Sequence, residues 1–331
     1  MSGALVLRAG VGRVLLWSSV LVAAAMAAFA AGGSWTVLVA AAVVSGLGTG
    51  AVDAGLNTFA AARFAPHLLT WLHACWSLGS MVGPLMMTAV IASGLGWRRG
   101  YTVMAVLLGA MAAVFALTRR LWDAAMPPEA DGRPLEAGAP STFFRALVNP
   151  QVRTSALLFL IYVGLEATTG RWAYSLLTES RGFAEGPAGI AVGSYWGGLF
   201  LGRLAFGAAA ARIASSRLLR LSTAALPFAA ALLCVPRGVA TAFAGLPLFG
   251  LLLAPVFPLL IAETPGRVGS SDAVHAVGFQ IAIGTLGAGL VPAGAGVLAS
   301  RIGLESLGPL LLAGTVALLV LHELASRPQA A

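Results

Sequence analysis

Long apolar runs separated by short polar breaks dominate the chain. Ten such runs can be counted, at residues 14–31, 35–60, 69–93, 101–117, 155–177, 188–206, 218–235, 240–262, 273–299 and 303–321. A helix of about 20 apolar residues crosses the ~30 Å hydrocarbon core of a bilayer, so this pattern predicts an all-α, multi-pass membrane protein. Trp35, Trp71, Trp97 and Trp122 fall near run ends, where interfacial aromatics collect.

Composition sharpens this reading. Of 331 residues, 59% are hydrophobic and only 10% charged, too few to cover a soluble surface. The net charge of +8 does not point to nucleic acid, because every basic residue is an arginine placed singly between apolar runs. Those arginines set topology. With alternating crossings, fourteen of the 20 lie on the side of Met1, which puts both termini in the cytoplasm of a cell (inner) membrane protein. Nine further runs follow the first, which argues against a cleaved secretory leader. Residues 119–150 are polar, charged and Pro-rich. They read as a cytoplasmic linker between a bundle at 1–118 and a six-helix bundle at 151–331. Cys75 and Cys234 sit within apolar runs and read as small buried hydrophobes.

A repeat adds a second layer. Gly3, Arg8 and Arg13 share their spacing with Gly207, Arg212 and Arg217, 204 residues later, and Arg63 and Arg267 share the same offset. Gly79-x-x-x-x-Pro84 returns as Gly287-x-x-x-x-Pro292. Parallel six-helix repeats are a transporter architecture. By this alignment two helices that precede Gly207 have no counterpart before Gly3, so the first bundle is expected to be incomplete, equivalent to helices 3–6 of a twelve-helix plan.

The motif 3-GALVLRAGVGR-13 resembles the loop signature between the second and third helices of the major facilitator superfamily. Gly3, Leu5, Arg8, Gly10 and Arg13 fit it, and Leu7 stands where an aspartate is usual. The stretches 46-GLGTGAVDAGLNTF-59, 162-YVGLEATTGRW-172 and 194-SYWGGLFLGR-203 are similar to the fucose-permease-like branch, which includes a sodium-dependent glucose transporter group. The resemblance implies a major facilitator fold of about ten helices in two pseudo-symmetric bundles. It also implies secondary active transport of a small, sugar-like solute by alternating access, coupled to a proton or sodium. Efflux of a drug-like compound and a truncated, non-transporting remnant are the alternatives. Gly3, Arg8, Gly10, Arg13, Arg203 and Arg212 are expected to form a conformational latch at the cytoplasmic end.

Two acids, Asp53 and Glu166, lie deep in apolar runs, and such residues mark ion or solute paths. Gly46, Gly50, Asp53 and Asn57 share one helix face, with glycines leaving room for a ligand or a close helix. Static packing is the alternative for both acids. Trp76 and His73 belong to a face that offers an aromatic platform and a hydrogen bond to a sugar ring; an interfacial role for His73 is equally open. Gln280 either binds solute or bridges helices. Tyr195 and Trp196 read as packing. Prolines 84, 255, 258 and 292 fall in apolar runs and are expected to bend or break them. Enzyme chemistry is not expected: 46–50 lacks the strand–turn–helix context of a dinucleotide loop, no HExxH occurs, and no metal spacing appears. No cofactor is expected. The expected partners are a solute, a coupling ion and the lipid bilayer.

Overall fold

The computed structural model describes residues 10–63, 66–124, 149–209, 212–235, 239–268 and 270–326. Among them the chain is helical, with eleven α-helices: α1 (Val11–Ala31), α2 (Trp35–Arg63), α3 (Pro66–Ala92), α4 (Gly96–Ala124), α5 (Pro150–Ser175), α6 (Glu185–Ala209), α7 (Ser215–Leu233), α8 (Val239–Leu253), α9 (Val256–Val268), α10 (Ser270–Ile302) and α11 (Leu307–Ala325). All ten predicted runs are helical. Nine helical stretches among the described residues are long and apolar enough to cross a bilayer. The run 188–206 forms α6, a helix diluted by glycines, Tyr195, Trp196 and Arg203.

The run predicted at 240–262 is two helices rather than one. Ala254 and Pro255 separate α8 from α9, because Pro255 offers no N–H to continue the ladder. Pro258 falls in the first turn of α9, where a backbone N–H has no intrahelical partner anyway. Pro84 and Pro292 stay inside the continuous helices α3 and α10. Helix α4 runs on to Ala124, into the predicted linker.

The chain forms two compact units, one of Met1–His73 with Met86–Arg133, the other of Ala74–Leu85 with Pro134–Ala331. In the first, α1 packs on α2 and α4. Its buried face carries Val11, Val14 and Leu15 against Phe59 and Phe115, with Trp122 packed beside them. Gly48 lets α2 approach α1: a Cβ there would lie 2.6 Å from Val22 and 2.9 Å from the Ser18 carbonyl. Outward positions such as Val106 and Leu117 are apolar and exposed, as a lipid-facing surface requires.

The second unit holds the larger core, built on Phe159, Tyr162, Tyr195, Leu226 and Phe249. Small residues set its helix spacing, as is usual where lipid removes the hydrophobic drive between helices. Gly198 and Gly250 bring α6 and α8 into backbone contact, and a Cβ on either would collide with the Pro247 or Tyr195 carbonyl. Gly287 does the same between α10 and α5 at the Leu160 carbonyl, and Gly164 and Gly284 make room there for the side chains of Val291 and Val163. Beyond α5 the chain makes a π-helical turn, Leu176–Ser180, and Gly182 follows at φ 71°. There Arg181, its side chain 2% exposed, grips Glu305 through Nε at 3.0 Å and a terminal nitrogen at 2.8 Å, and donates to the Leu233 carbonyl at 2.6 Å. One guanidinium thereby ties the ends of α5, α7 and α10 together.

Two outcomes test this packing. Gly250→Ala should destabilise the purified protein by about 1–3 kcal/mol, the usual penalty of overpacking, whereas Gly294→Ala, whose Cβ would meet open space, should leave the thermal midpoint unchanged or slightly raised. Glu305→Gln weakens a charge-assisted bidentate pair and should lower stability by about 1–3 kcal/mol, read as a lower unfolding temperature in detergent.

Candidate functional site

Helix α5 carries Glu166 at its middle, one turn after Tyr162, and both side chains turn into the second unit. The Tyr162 hydroxyl donates to Glu166 Oε2. Tyr195 of α6 donates its hydroxyl to the Glu166 main-chain carbonyl at 3.0 Å, so α5 and α6 are pinned at this level. From the same helix Arg203 reaches Glu166 Oε2 at 3.8 Å, with the two side chains only 9% and 10% exposed. A second guanidinium nitrogen donates to Ser77 of α3, which is fully buried.

Aromatic rings cover this pair. The Arg203 guanidinium lies 5.3 Å from the centre of the Trp76 ring. Trp76 meets Trp196 edge-on at 5.6 Å, and Trp196 packs against Tyr195 at 4.9 Å. Gly170 makes room for the Trp196 indole, since a Cβ there would collide with it. Trp76 remains 52% exposed, so the cluster presents an indole face outward while its charges stay inside. Chemically the arrangement offers a carboxylate acceptor, guanidinium and phenol donors, and an apolar ring surface.

Arg203 requires a correction. By sequence it falls with the latch arginines at a helix end, but its side chain is buried between Glu166 and Ser77. A snorkelling arginine would send its charge to water; this one has a carboxylate and a hydroxyl inside the protein. Ser77 and the hydroxyl of Tyr195 were not expected in the cluster. In the sequence, an arginine within the apolar run 188–206 carries no mark that separates a buried partner of Glu166 from a snorkelling residue at a helix end.

The other predicted residues lie elsewhere. Asp53 is exposed on α2 of the first unit, and Gly46 and Gly50 on the same face are open, with nothing within 4 Å of an added Cβ. Gly3 and Arg8, and the side chains of Asn57 and His73, lie outside the described residues. Gly10 sits just before α1 at φ 82°, and Arg13 and Arg212 are exposed.

Gln280 of α10 is fully buried. Its amide nitrogen donates to Thr264 of α9 at 2.7 Å and to Ser155 of α5, so it bridges three helices. Ser155 precedes Glu166 by eleven residues, about 16 Å along a helix, which sets Gln280 in a different layer from the Glu166 cluster. Near that layer Arg267 pairs with Glu263 at 2.5 Å and approaches His322 Nδ1 of α11 at 3.4 Å.

Comparison with known proteins agrees with this architecture. A crystal structure of the E. coli fucose:proton symporter FucP superposes with a TM-score of 0.69 at 13% identity, covering 99% of this chain and 87% of that one. A second FucP structure, in the outward conformation, gives 0.69 at 13% identity over 96% and 84% of the two chains. In sequence, Bypass of stop codon protein 6 of Saccharomyces cerevisiae is 30% identical over 194 residues, 54% of this chain and 38% of the yeast protein. The match thus spans well under half of that relative's length. The Major Facilitator Superfamily model matches residues 1–292, and the chain belongs to that superfamily.

Proposed function

We propose that the protein is a secondary active transporter that moves a small, sugar-like solute across the cytoplasmic membrane by alternating access, with both termini and the 119–150 connection in the cytoplasm. The observation that carries this reading is the buried Glu166–Arg203 pair under the half-exposed Trp76. A polyhydroxylated ring has hydroxyls to exchange with a carboxylate and a guanidinium, and an apolar C–H face that stacks on an indole. Superfamily membership and the likeness of fold to a fucose:proton symporter support it. The solute inserts its hydroxyls between Glu166, Arg203 and Tyr162, and Trp76 closes over the ring.

Asp53 supplies the coupling. It is an acid in an otherwise apolar helix, on a face opened by Gly46 and Gly50, with Asn57 one turn on. A proton that binds Asp53 neutralises a charge that is costly within a bilayer, and so ties the gradient to the movement of the helices. Sodium is the other ion such a carboxylate can take.

The full chain in proteoliposomes, with a panel of labelled sugars, tests both roles. Glu166→Gln should reduce solute binding about tenfold or more, the loss expected for a buried charged hydrogen-bond partner, and Trp76→Ala should weaken it by less. No binding change in Glu166→Gln would remove the site. Asp53→Asn should abolish uphill accumulation while counterflow of solute persists, because the amide resembles the protonated acid. A protonophore should collapse uptake in the parent protein, whereas dependence on a sodium gradient alone would assign the ion to sodium. Normal uphill uptake by Asp53→Asn would leave Asp53 a packing residue.

A further inference from the structure

Arg171 follows Glu166 by five residues, which places it about 140° round α5, away from the Glu166 cluster. Its side chain is exposed and, among the described residues, makes no ion pair or hydrogen bond. The Ser175 hydroxyl, one turn further, is likewise without a partner there. Both line a groove of about 270 Å³ between α5 and α10, together with Trp172, Gly289, Pro292 and Ala293. A 2.9 Å hydrogen bond from the Trp172 indole to the Pro292 carbonyl fixes one wall.

Depth sets what this groove meets. The Arg181–Glu305 pair marks the near end of the bundle. Arg171 precedes Arg181 by ten residues, and Pro292 precedes Ile302, the last residue of α10, by ten as well. Both sides of the groove therefore lie about 10–15 Å inside that end, deep within the ~30 Å hydrocarbon thickness. A guanidinium with no counter-ion at such depth belongs against water or polar groups, because hydrocarbon penalises it heavily. The walls agree. Along the groove α10 exposes Thr285, Gly289 and Ala293, each four residues from the next and all small. Its large exposed side chains Leu290 and Val297 stand about 80–100° round the helix from Gly289.

Charge then selects a ligand. One guanidinium neutralises one negative charge. Its planar fork matches the two oxygens of a carboxylate, and the Ser175 hydroxyl adds a further donor. A phosphate monoester carries close to two negative charges and would leave one unmatched at this depth. A neutral solute would leave the guanidinium unpaired.

We propose that the groove binds the carboxylate of a small hydrophilic acid, with Arg171 as the residue that selects the anion and Ser175 as a second donor. That the acid is the transported solute rests on the transport reading above; the binding itself does not.

Phenylglyoxal labelling of the full chain in proteoliposomes tests the site on the unaltered protein, since this permeant reagent modifies guanidinium groups that water reaches. Peptide mass spectrometry reads the rate at each arginine. Arg171 should react at a rate near that of the exposed Arg212. Millimolar lactate, gluconate or glucuronate should slow Arg171 about fivefold or more, and glucose should not. An unreactive Arg171 would show a groove closed to water and overturn the proposal. So would the absence of protection by all three acids, or equal protection by glucose or inorganic phosphate. Binding of the most protective acid should fall about tenfold in Arg171→Gln and less in Arg171→Lys, and unchanged binding in Arg171→Gln overturns the proposal. Glu166→Gln separates the two sites. Protection of Arg171 should persist in that variant whatever becomes of sugar binding at Glu166, and its loss there would assign the acid to the Glu166 cluster and overturn the proposal.

Discussion

Burying the charge of Glu166 constrains much of what surrounds it. A carboxylate in an apolar helix loses its hydration, and its neighbours must replace what water supplied. Arg203 at 3.8 Å contributes a gross attraction on the order of 4 kcal/mol at an effective dielectric near 20, before either ion's desolvation is counted. That sum only balances if the remaining donors and acceptors are met as well. Tyr162 donates to the same oxygen, Ser77 accepts from Arg203, and the Trp76 ring face receives the guanidinium. Each partner comes with its own packing condition. Tyr195 must reach the Glu166 carbonyl, so α6 must lie close to α5; Trp196 must fit over Gly170; and Gly198 and Gly250 must let α8 come against α6. The glycines of the second unit and its buried charges are therefore parts of one solution.

The helices were legible because hydrophobic runs report membrane crossings directly, and the ten runs all became helices. The break at Ala254–Pro255 was less legible. Prolines 84, 255, 258 and 292 looked alike in their apolar runs, but only the one at 255 separates two helices. Pro84 and Pro292 are carried inside helices, where neighbouring helices and side chains absorb the missing hydrogen bond. Glu166 was legible as a deep acid because insertion penalises such residues wherever the chain folds. Its partner was not, since Arg203 lies near the end of a run and position alone cannot separate an arginine that snorkels from one that turns inward. That choice depends on which helix packs alongside, which is tertiary information. Gln280 illustrates the same limit: an amide in an apolar run reports that it needs partners, not whether they are solute or the hydroxyls of Ser155 and Thr264.

Irregular backbone in the second unit follows a rule set by the bilayer. Hydrocarbon cannot satisfy a free N–H or carbonyl, so non-α backbone at membrane depth must be enclosed by protein. The π-helical turn Leu176–Ser180 runs from buried Leu176 and Leu177 to exposed Glu179 and Ser180 at the end of the bundle, where Arg181 donates to the Leu233 carbonyl. The break between α8 and α9 is flanked by Ala254 and Val256, both fully buried, and hydrogen bonds from Ala254 to Gly250 and from Leu259 to Pro255 bracket it. Gly202 of α6 packs directly on Ala254, so the helix that carries Arg203 also covers the break. Breaks and kinks concentrate where the i to i−4 ladder is already interrupted. At Ala254–Pro255 the ladder is open and shielded at once, one residue from where α6 places the guanidinium of Glu166's partner. The same packing that pairs the buried charge thus protects the point at which this bundle's backbone is least tied to a single helix axis.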